Sequence, residues 1–322
     1  MVQKEEGVRD EMDEKNLKTD GEKKNRGICF LAGALAVLLL LYLGLRIWNQ
    51  KQEEKQQEKA EADIIHVTET DAGEIVSLKF NVGNGEMEFT KEDGAWYYTP
   101  DQDFPLVQSY PEDMAESAGN IEAARELTDG DTMEDYGLDE PSYTLEYTDA
   151  DGNQTEVYFG NMTGDSYYVT VGDTGSVYTV DSAVIDSFNY TLDEMAQLDE
   201  YPNIGSGNLL REVITQNGET TIYDSENSDQ EEEIAAVAGG LGAVTLSEAA
   251  DYSVEEEDLA GFGLDEASRI TVEATYTTDE EEQVLTLYIG GEDGDGNRYV
   301  MINESRIVYL ISAAICENIL NT

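Results

Sequence analysis

The hydrophobic and polar positions divide the chain into one continuous apolar segment and a long region of alternation. Residues 27–45 read GICFLAGALAVLLLLYLGL, 19 residues without a charge. As a helix they span about 28 Å, close to the hydrocarbon thickness of a bilayer. Basic residues and an indole flank the segment: Lys23, Lys24, Arg26, Arg46 and Trp48. The pattern predicts an uncleaved transmembrane helix over 27–48, because no small-residue cleavage site follows.

The flanks of this segment predict how the chain is oriented. Three basic residues precede it, which favours a cytoplasmic tail over 1–26 and places residues 51–322 outside. The tail is polar, and we expect it to be disordered. Residues 49–62, NQKQEEKQQEKAEA, are helix formers without an apolar stripe. They indicate a polar helical stalk or a linker.

Beyond residue 63, apolar and polar residues alternate in short runs separated by Gly-containing turns, which is typical of antiparallel strands. Expected strands of the first unit are EIVSLKF (74–80), EMEFT (86–90), AWYYT (95–99), YTLEYT (143–148), TEVYFG (155–160), SYYVTV (166–171) and SVYTV (176–180). Helices are expected over 111–121, with Pro111 in the first turn, and from Ser182 onward.

The same order of elements returns in a second unit. Strands are expected over 209–215, 220–224, 269–277, 283–290, 298–303 and 306–311, and helices over 231–244 and 312–320. TEVYFG parallels LTLYIG and SVYTVDSAVID parallels RIVYLISAAIC, whereas AWYYT has no counterpart. Two copies over about 110 residues indicate duplication of a whole domain, not a solenoid.

This pattern predicts an α+β protein with two similar domains behind one N-terminal transmembrane helix. Each domain is expected to be an antiparallel sheet with helices on one face. The domains are predicted over 63–198 and 209–322, with a joint at 199–208, DEYPNIGSGN. Whether this joint is rigid or hinged is left open.

The tetrad GLDE occurs behind an aromatic residue at 137–140 and again at 263–266. Its glycines can adopt positive φ, its leucines suit burial, and its aspartates can accept hydrogen bonds from nearby amides. The pairs are Gly137 and Gly263, Leu138 and Leu264, and Asp139 and Asp265. We interpret the tetrad as a structural corner used once per domain, with a catalytic acid as the alternative.

These residues resemble the bacterial domain of unknown function 4340. The resemblance rests on the aromatic-GLD-x-P corner, the following strand and Asp-Gly turn, and the YFG, YY-V and VY-V runs, and it covers residues 64–322. Ala267 stands in the second unit where Pro141 stands in the first. Members are often membrane-anchored, duplicated envelope proteins, some encoded beside gliding-motility-type ABC transporters. The resemblance implies an extracytoplasmic location and a transporter-accessory role, and it carries no catalytic residues.

The charge of the chain limits its partners. The formal net charge is −53; eight acidic and eight basic residues cancel within 1–50, which leaves 63 Asp/Glu against 10 Lys/Arg beyond. Such a surface repels nucleic-acid phosphates and anionic lipids. We interpret the charge as a solubility feature, with capture of cations or of a basic partner as the alternative. Because the chain has 19 Tyr, 7 Phe and 2 Trp, it can still bury a core.

The sequence contains few candidates for catalytic residues. His66 is the single histidine, which leaves no histidine-based triad. Lys79 and Lys91 are the lysines beyond residue 63, and neither lies in a recognisable motif. Acid pairs cannot be judged by counting among so many carboxylates. We therefore predict a non-enzymatic protein with no catalytic, cofactor-binding or metal-binding residues and no cofactor.

Several motifs can be interpreted either as ligand-binding sites or as structural elements. DADGN (149–153) and DGDGN (293–297) could hold calcium, but neither fits an EF-hand, and both suit hairpin turns. GGLG (239–242) follows a helix and lacks a phosphate-loop pattern, so close packing explains it. Trp96 and Tyr98 could stack on a sugar, but alternation places them on one core-facing side. Cys29 and Cys316 are not expected to pair.

The function that the sequence predicts is that of a single-pass, membrane-anchored extracytoplasmic protein. It would act as an accessory or partner-binding subunit of an envelope complex such as an ABC transporter. The alternative is a cell-surface module that binds a cation, peptide or glycan, and an acid-pair hydrolase is a further one. Ligand, stoichiometry and process are left open.

Overall fold

The computed structural model describes Arg46 and residues 64–128, 132–279 and 281–322. The predicted tail and stalk, and the predicted membrane helix apart from Arg46, lie outside these residues. Within the described ranges, no helix has both the length and the apolar character that a membrane crossing needs. Residues Ile65–Thr322 form one compact unit.

The first repeat is built on an antiparallel sheet of nine strands. They are β1 (Ile65–His66), β2 (Ile75–Asn81), β3 (Glu86–Glu92), β4 (Ala95–Tyr98), β5 (Glu122–Leu127), β6 (Tyr143–Asp149), β7 (Gln154–Thr163), β8 (Ser166–Val171) and β9 (Val177–Asp181). Their order in the sheet is β1-β5-β9-β8-β7-β6-β2-β3-β4. The helices described in this repeat are α1 (Ser109–Gly119), α2 (Met133–Tyr136) and α3 (Ala183–Asp186), with 3-10 turns at Ala72–Glu74 and Asp193–Met195.

The second repeat has a sheet of seven strands. They are β10 (Leu209–Gln216), β11 (Glu219–Asp224), β12 (Ala249–Asp251), β13 (Ile270–Thr278), β14 (Glu281–Glu292), β15 (Asn297–Ile302) and β16 (Val308–Ser312). Their order is β11-β10-β13-β14-β15-β16-β12. Helices α4 (Glu231–Gly242) and α5 (Ala313–Leu320) and 3-10 turns at Ser228–Gln230 and Leu259–Phe262 complete it.

The two sheets have the same topology once their strands are matched in chain order. Read in one direction, β3-β2-β6-β7-β8-β9-β5 corresponds strand for strand to β11-β10-β13-β14-β15-β16-β12. β1 and β4 are additions at the two edges of the first sheet. The duplication expected from the sequence is thus present in the strand order, and in the described residues β4 has no counterpart in the second sheet.

The correspondence extends to a local irregularity of the ladder. In the pair β2–β6 the register shifts between Ile75 and Ser77, and in β10–β13 it shifts between Leu209 and Arg211. Each shift is a β-bulge at the first paired residues of its strand. Because a bulge changes which side chains face the core, its preservation keeps the following residues in equivalent places.

Each sheet buries one face under its longer helices. In the first repeat, Leu78, Phe80 and Phe159 pack with Met114 of α1. In the second, buried strand residues pack with Val237 and Leu241 of α4 and with Cys316 and Ile319 of α5. Side chains of the opposite face, at alternate positions of the same strands, meet the GLDE corners instead. The short helix α2 and the turn at Leu259–Phe262 therefore lie on the face away from the longer helices.

The sequence pattern missed three strands and shifted one helix. β1, β5 and β12 were not predicted; they show fewer buried residues than the interior strands, so their alternation is weak. Helix α1 begins at Ser109, two residues before the predicted start, and Pro111 lies in its first turn as expected. The remaining predicted strands are present within a few residues of their expected bounds.

Candidate functional site

The residue that stands out chemically is Glu212, in the middle of β10. Its side chain is 0% exposed, and neither carboxyl oxygen has a hydrogen-bond partner. It pairs with Tyr223 of β11 and with Ala274 of β13. Directly paired residues share a face of the sheet, and Ala274 belongs to the core. Glu212 is therefore a carboxyl group that points into the hydrophobic core of the second repeat.

The first repeat shows what this position holds in the sister copy. The matched bulges align Glu212 with Leu78, which pairs with Phe89 and Tyr147. Leu78 is 0% and Tyr147 2% exposed, so this place is a filled apolar core in the first repeat. In the second repeat a carboxyl replaces the leucine, and an alanine replaces the tyrosine. The side chain opposite the carboxyl is therefore much smaller in the second repeat than in the first.

Tyrosines surround the carboxyl. Tyr201 of the joint and Tyr276 of β13, like Tyr223, pack against the second core. The hydroxyl of Tyr201 is also buried without a partner, and that of Tyr223 accepts a hydrogen bond from Asn321 at 3.2 Å. Two unpartnered polar groups thus lie in one region, where each is costly to bury.

Burial determines the protonation states of the Glu212 carboxyl and the Tyr201 hydroxyl. It raises the pKa of the Glu212 carboxyl to about 8, so the carboxyl is mostly protonated at neutral pH. Burial, followed by the charges of Glu212 and Tyr276, raises the pKa of Tyr201 well above its usual range. A protonated carboxyl can donate one hydrogen bond, and a cation nearby would return it to the carboxylate form.

Two cavities adjoin the tyrosines. One, of about 360 Å³, lies along the joint and the end of α4, with Tyr201, Pro202, Ile204 and Leu246 in its wall. The other, of about 230 Å³, is lined by Tyr201, Pro202, Tyr276 and Asn303 among others. Tyr201 and Pro202 line both cavities, and Tyr201 is also the residue of the joint that interacts with Glu212.

Hydrogen bonds attach the joint, residues 199–208, to the second repeat. The Asp199 carboxylate accepts hydrogen bonds from Ser305 Oγ at 2.5 Å and from the Tyr309 hydroxyl at 2.7 Å. Farther along, the Asn208 side chain donates to the carbonyls of Asn203 at 2.9 Å and of Thr277 at 3.1 Å. These bonds hold both ends of the segment that the sequence identified as a possible hinge.

A seam of direct contacts also joins the two repeats. Arg306 contacts Asp103 of the first repeat at 3.1 Å and Glu255 of the second at 3.0 Å. The ring of Tyr252 packs edge-on against Phe104, with centroids 5.1 Å apart, and its hydroxyl donates to Asp193 at 2.9 Å. The two repeats are therefore packed together and not merely linked in sequence.

The GLDE tetrads form the predicted corners. Gly137 and Gly263 have φ of 70° and 67° and end their helical turns in the left-handed region. Leu138 and Leu264 are buried. The Asp265 carboxylate accepts a hydrogen bond from the Ala267 amide at 3.0 Å. The matching donor is absent in the first corner, because Pro141 has no N–H.

The corners also explain the glycine of YFG and YIG. A Cβ on Gly160 would overlap the Tyr136 carbonyl oxygen, and one on Gly290 would overlap the Phe262 carbonyl oxygen. In both repeats, therefore, the backbone just before the tetrad crosses closely over a strand at its glycine: β7 at Gly160 and β14 at Gly290. The GLDE tetrad and the strand glycine are therefore two parts of one close packing contact.

The two D-x-D-G-N runs are hairpin turns at non-equivalent places, as expected. Asp149 is the last residue of β6 and begins the turn to β7, whereas Asp293 lies between β14 and β15. In both, the first aspartate accepts from the amide two residues on and from both nitrogens of the final asparagine, Asn153 or Asn297. The bonds from the asparagines hold the pKa of each aspartate below its usual range. These oxygens are thus occupied by the turn itself.

The other candidates lie apart from Glu212. His66 is exposed on the short strand β1, and Lys91 lies over the Trp96 ring at 5.5 Å. Lys79 pairs with Glu86 at 3.2 Å. Trp96 is buried with its ring nitrogen unpartnered, and Tyr98 packs against the same core. Among the described residues, no three His, Cys, Asp or Glu side chains are arranged to hold a metal ion.

GGLG and Cys316 belong to the packing of the second repeat. A Cβ on Gly240 would approach the backbone of Ile319 in α5 at 2.5 Å, and one on Gly242 would approach the Ile204 carbonyl at 2.6 Å. Close packing therefore accounts for these glycines. Cys316 is buried, and burial raises the pKa of its thiol to about 11.

Sequence reasoning overlooked Glu212, although a signal existed. The alternation in LLREVIT predicts a strand but does not show that its acid is buried. Aligning the repeats places this glutamate on Leu78, a buried strand position. Its burial also depends on Tyr201 and Ala274, which strand alternation alone does not bring together.

Comparison with known proteins identifies a family. The profile described as Domain of unknown function (DUF4340) matches residues 96–238 and again residues 222–322. Neither the curated proteins nor the solved structures that were compared contain a match. Each matched stretch contains a GLDE corner with the four strands and the closing helix that follow it, and the first continues through β10 and β11 into α4. The chain therefore belongs to the DUF4340 family and contains its domain in two copies.

Proposed function

We propose that this protein is a non-enzymatic, single-pass membrane-anchored subunit that presents a fixed extracytoplasmic surface to a protein partner in the cell envelope. The apolar segment over 27–45 supports the anchor, and the preceding basic residues support a cytoplasmic N-terminus. Family resemblance suggests ABC transporter subunits as the partner. The tether would raise the local concentration of this surface at the membrane.

The observation that carries the proposal is the outer face of the second sheet, the face away from α4 and α5. Ile222 and Val284 are 42% and 58% exposed on it. Val213 lies beside Ile222 on the same face. Val213 and Ile222 are neighbours on β10 and β11, and Val284 lies on the same face of β14, separated from them by Glu273 and Thr275 of β13. We call these three apolar positions the patch.

The sister sheet lacks this patch. By strand pairing, Ile222, Val213 and Val284 correspond to Glu88, Lys79 and Gln154. The first sheet is therefore polar where the second is apolar. Two copies with one fold and different outer faces indicate that the second face serves a purpose beyond folding.

Charge complementarity suggests the chemistry of the partner. Beyond residue 50 the chain has 63 acidic and 10 basic residues, so the patch lies in a strongly acidic molecule. A protein surface with an apolar centre and a basic rim would match it in both respects. The contacts at the seam favour a fixed surface over a cleft that closes by a hinge.

Site-specific photocrosslinking in native membranes tests the surface. A benzophenone amino acid is placed in the full chain at Val284 or Ile222, and in matched variants at Gln154 or Glu88. We expect adducts with one envelope protein, identified by mass spectrometry as a transporter subunit, from the second-sheet positions alone. Equal adducts from all four positions, or none from Val284 and Ile222, would contradict the proposal.

Extraction and protease protection test the anchor and its orientation. We expect the intact chain to leave membranes only with detergent, because the apolar segment is long enough to span the bilayer. Protease added to the outside of intact cells should remove the region beyond residue 63 and leave an N-terminal fragment protected. Release by high salt alone would contradict an integral anchor.

The second candidate function is a cell-surface module that binds a small ligand, and the cavities beside Tyr201 favour it. An acid-pair hydrolase has less support. Among the described residues Glu212 is the one carboxyl with a clearly raised pKa, where such a hydrolase uses two acids with separate roles. Calorimetry of the full chain with calcium and with peptide or glycan libraries tests the binding module.

A further inference from the structure

Glu212 lacks a partner in a place where one is needed. A buried carboxyl without hydrogen bonds is strongly unfavourable, and one copy of this domain avoids it by using Leu78. The second copy combines the acid with a loss of volume at Ala274 and with a second unpartnered group, the Tyr201 hydroxyl. These three differences lie together, which is the pattern of a binding site and not of one unfavourable substitution.

The surroundings of Glu212 favour a cation. The Tyr201 hydroxyl interacts electrostatically with Glu212 and with Tyr276, and Tyr223 of β11 pairs directly with Glu212. Tyr201, Tyr223 and Tyr276 all pack against the core that contains Ala274. Aromatic rings beside a carboxylate are the usual recognition elements for organic ammonium groups, through ring quadrupole and charge. The acidic surface would also concentrate cations near the molecule.

We propose that Glu212, with the rings of Tyr201 and Tyr276, binds a small organic ammonium ion that enters past Tyr201 from the cavities at the joint. This inference deepens the second candidate function by naming its ligand class, and it does not depend on the protein partner. The ammonium group pairs with the Glu212 carboxylate and packs against the rings. On binding, the carboxyl loses its proton to solvent and the ligand keeps its charge.

The test is titration of the full chain in detergent micelles with ethylammonium chloride, by calorimetry and by pH-stat at pH 7. We expect saturable binding with release of about one proton per bound ion, because the free carboxyl is protonated at this pH. Ethanol, which matches the ion in size and has no charge, should not bind. Sodium chloride at the same concentration should give neither saturation nor proton release.

Three variants separate the site from general effects. Glu212→Gln preserves shape and removes the charge, and we expect at least about 10-fold weaker binding and no proton release. Glu212→Leu, which restores the residue of the sister copy, should fold and also lose binding. Glu219→Gln, at an exposed acid of the neighbouring strand, should bind as the wild type does.

Three outcomes would overturn the proposal: no saturable binding of ethylammonium by the wild type, equal binding by Glu212→Gln, or the same response to sodium. Any of them would leave Glu212 as a buried acid that does not bind an organic ammonium ion. Such a failure would not affect crosslinking at Val284, which lies on the other face of the sheet. The two proposals can therefore fail separately.

Discussion

At the scale of single residues, Glu212 couples stability to pH. Its folded pKa of about 8 exceeds the value of about 4.3 for an unfolded glutamate, so between these values only the folded state holds the proton. The free energy of unfolding should therefore fall as pH rises through this window. Relative to wild type, Glu212→Leu should gain about 1.4 kcal/mol per pH unit between about pH 5 and 8. Urea unfolding across this range measures the gain.

The controls for this prediction come from other carboxylates. Asp149 and Asp293 have lowered pKa values, so they stabilise the fold above their unfolded pKa and lose this contribution as pH falls. Both are present in wild type and variant and cancel in the difference. A difference between wild type and Glu212→Leu that stays constant from pH 5 to 8 would mean that the carboxyl is not buried as described.

At the scale of elements, the GLDE corner and the glycine of YFG or YIG act together. Gly160→Ala or Gly290→Ala should cost about 2–3 kcal/mol, because the new methyl group must displace the crossing backbone. Gly239→Ala is the matched control: its Cβ meets nothing within 4 Å in α4, so the gain in helix propensity should add about 0.5–1 kcal/mol. Thermal or urea unfolding of the three variants distinguishes these effects. Equal, small effects at all three glycines would contradict a close crossing.

At the scale of the whole molecule, the seam decides whether the repeats behave as one body. Each repeat has its own core, so each can unfold separately once the contacts between them are lost. The wild type should show one calorimetric transition, and Tyr252→Ala combined with Arg306→Ala should split it into two. Tyr190→Ala breaks the Tyr110–Tyr190 pair within the first repeat, whose ring centroids are 4.8 Å apart, and should lower the melting temperature without splitting. A single transition in the double variant would show that Tyr252 and Arg306 are not needed for coupling and that the joint and the remaining contacts, such as Ser253 Oγ to Asp101 at 2.5 Å, suffice.

The sequence by itself determined the features that depend on short-range chemistry. Alternation with a period of two, glycine turns and the repeated GLDE corner are local signals, so most strands, the longer helices and the duplication could be predicted. The run over 27–45 likewise predicts an anchor from length and polarity alone. The edge strands β1 and β12 escaped because they bury few residues, and a weak alternation is a weak signal.

Only the tertiary structure decided which residues form the candidate site. Glu212 is one of 71 acidic residues, and its burial depends on Ala274 of another strand and on Tyr201 of the joint. The seam likewise brings together Asp103, Tyr252 and Arg306, which are distant in the chain. Solvation and electrostatic environment are set by neighbours in space. A sequence pattern reports neighbours along the chain, so it could predict the framework but not the site.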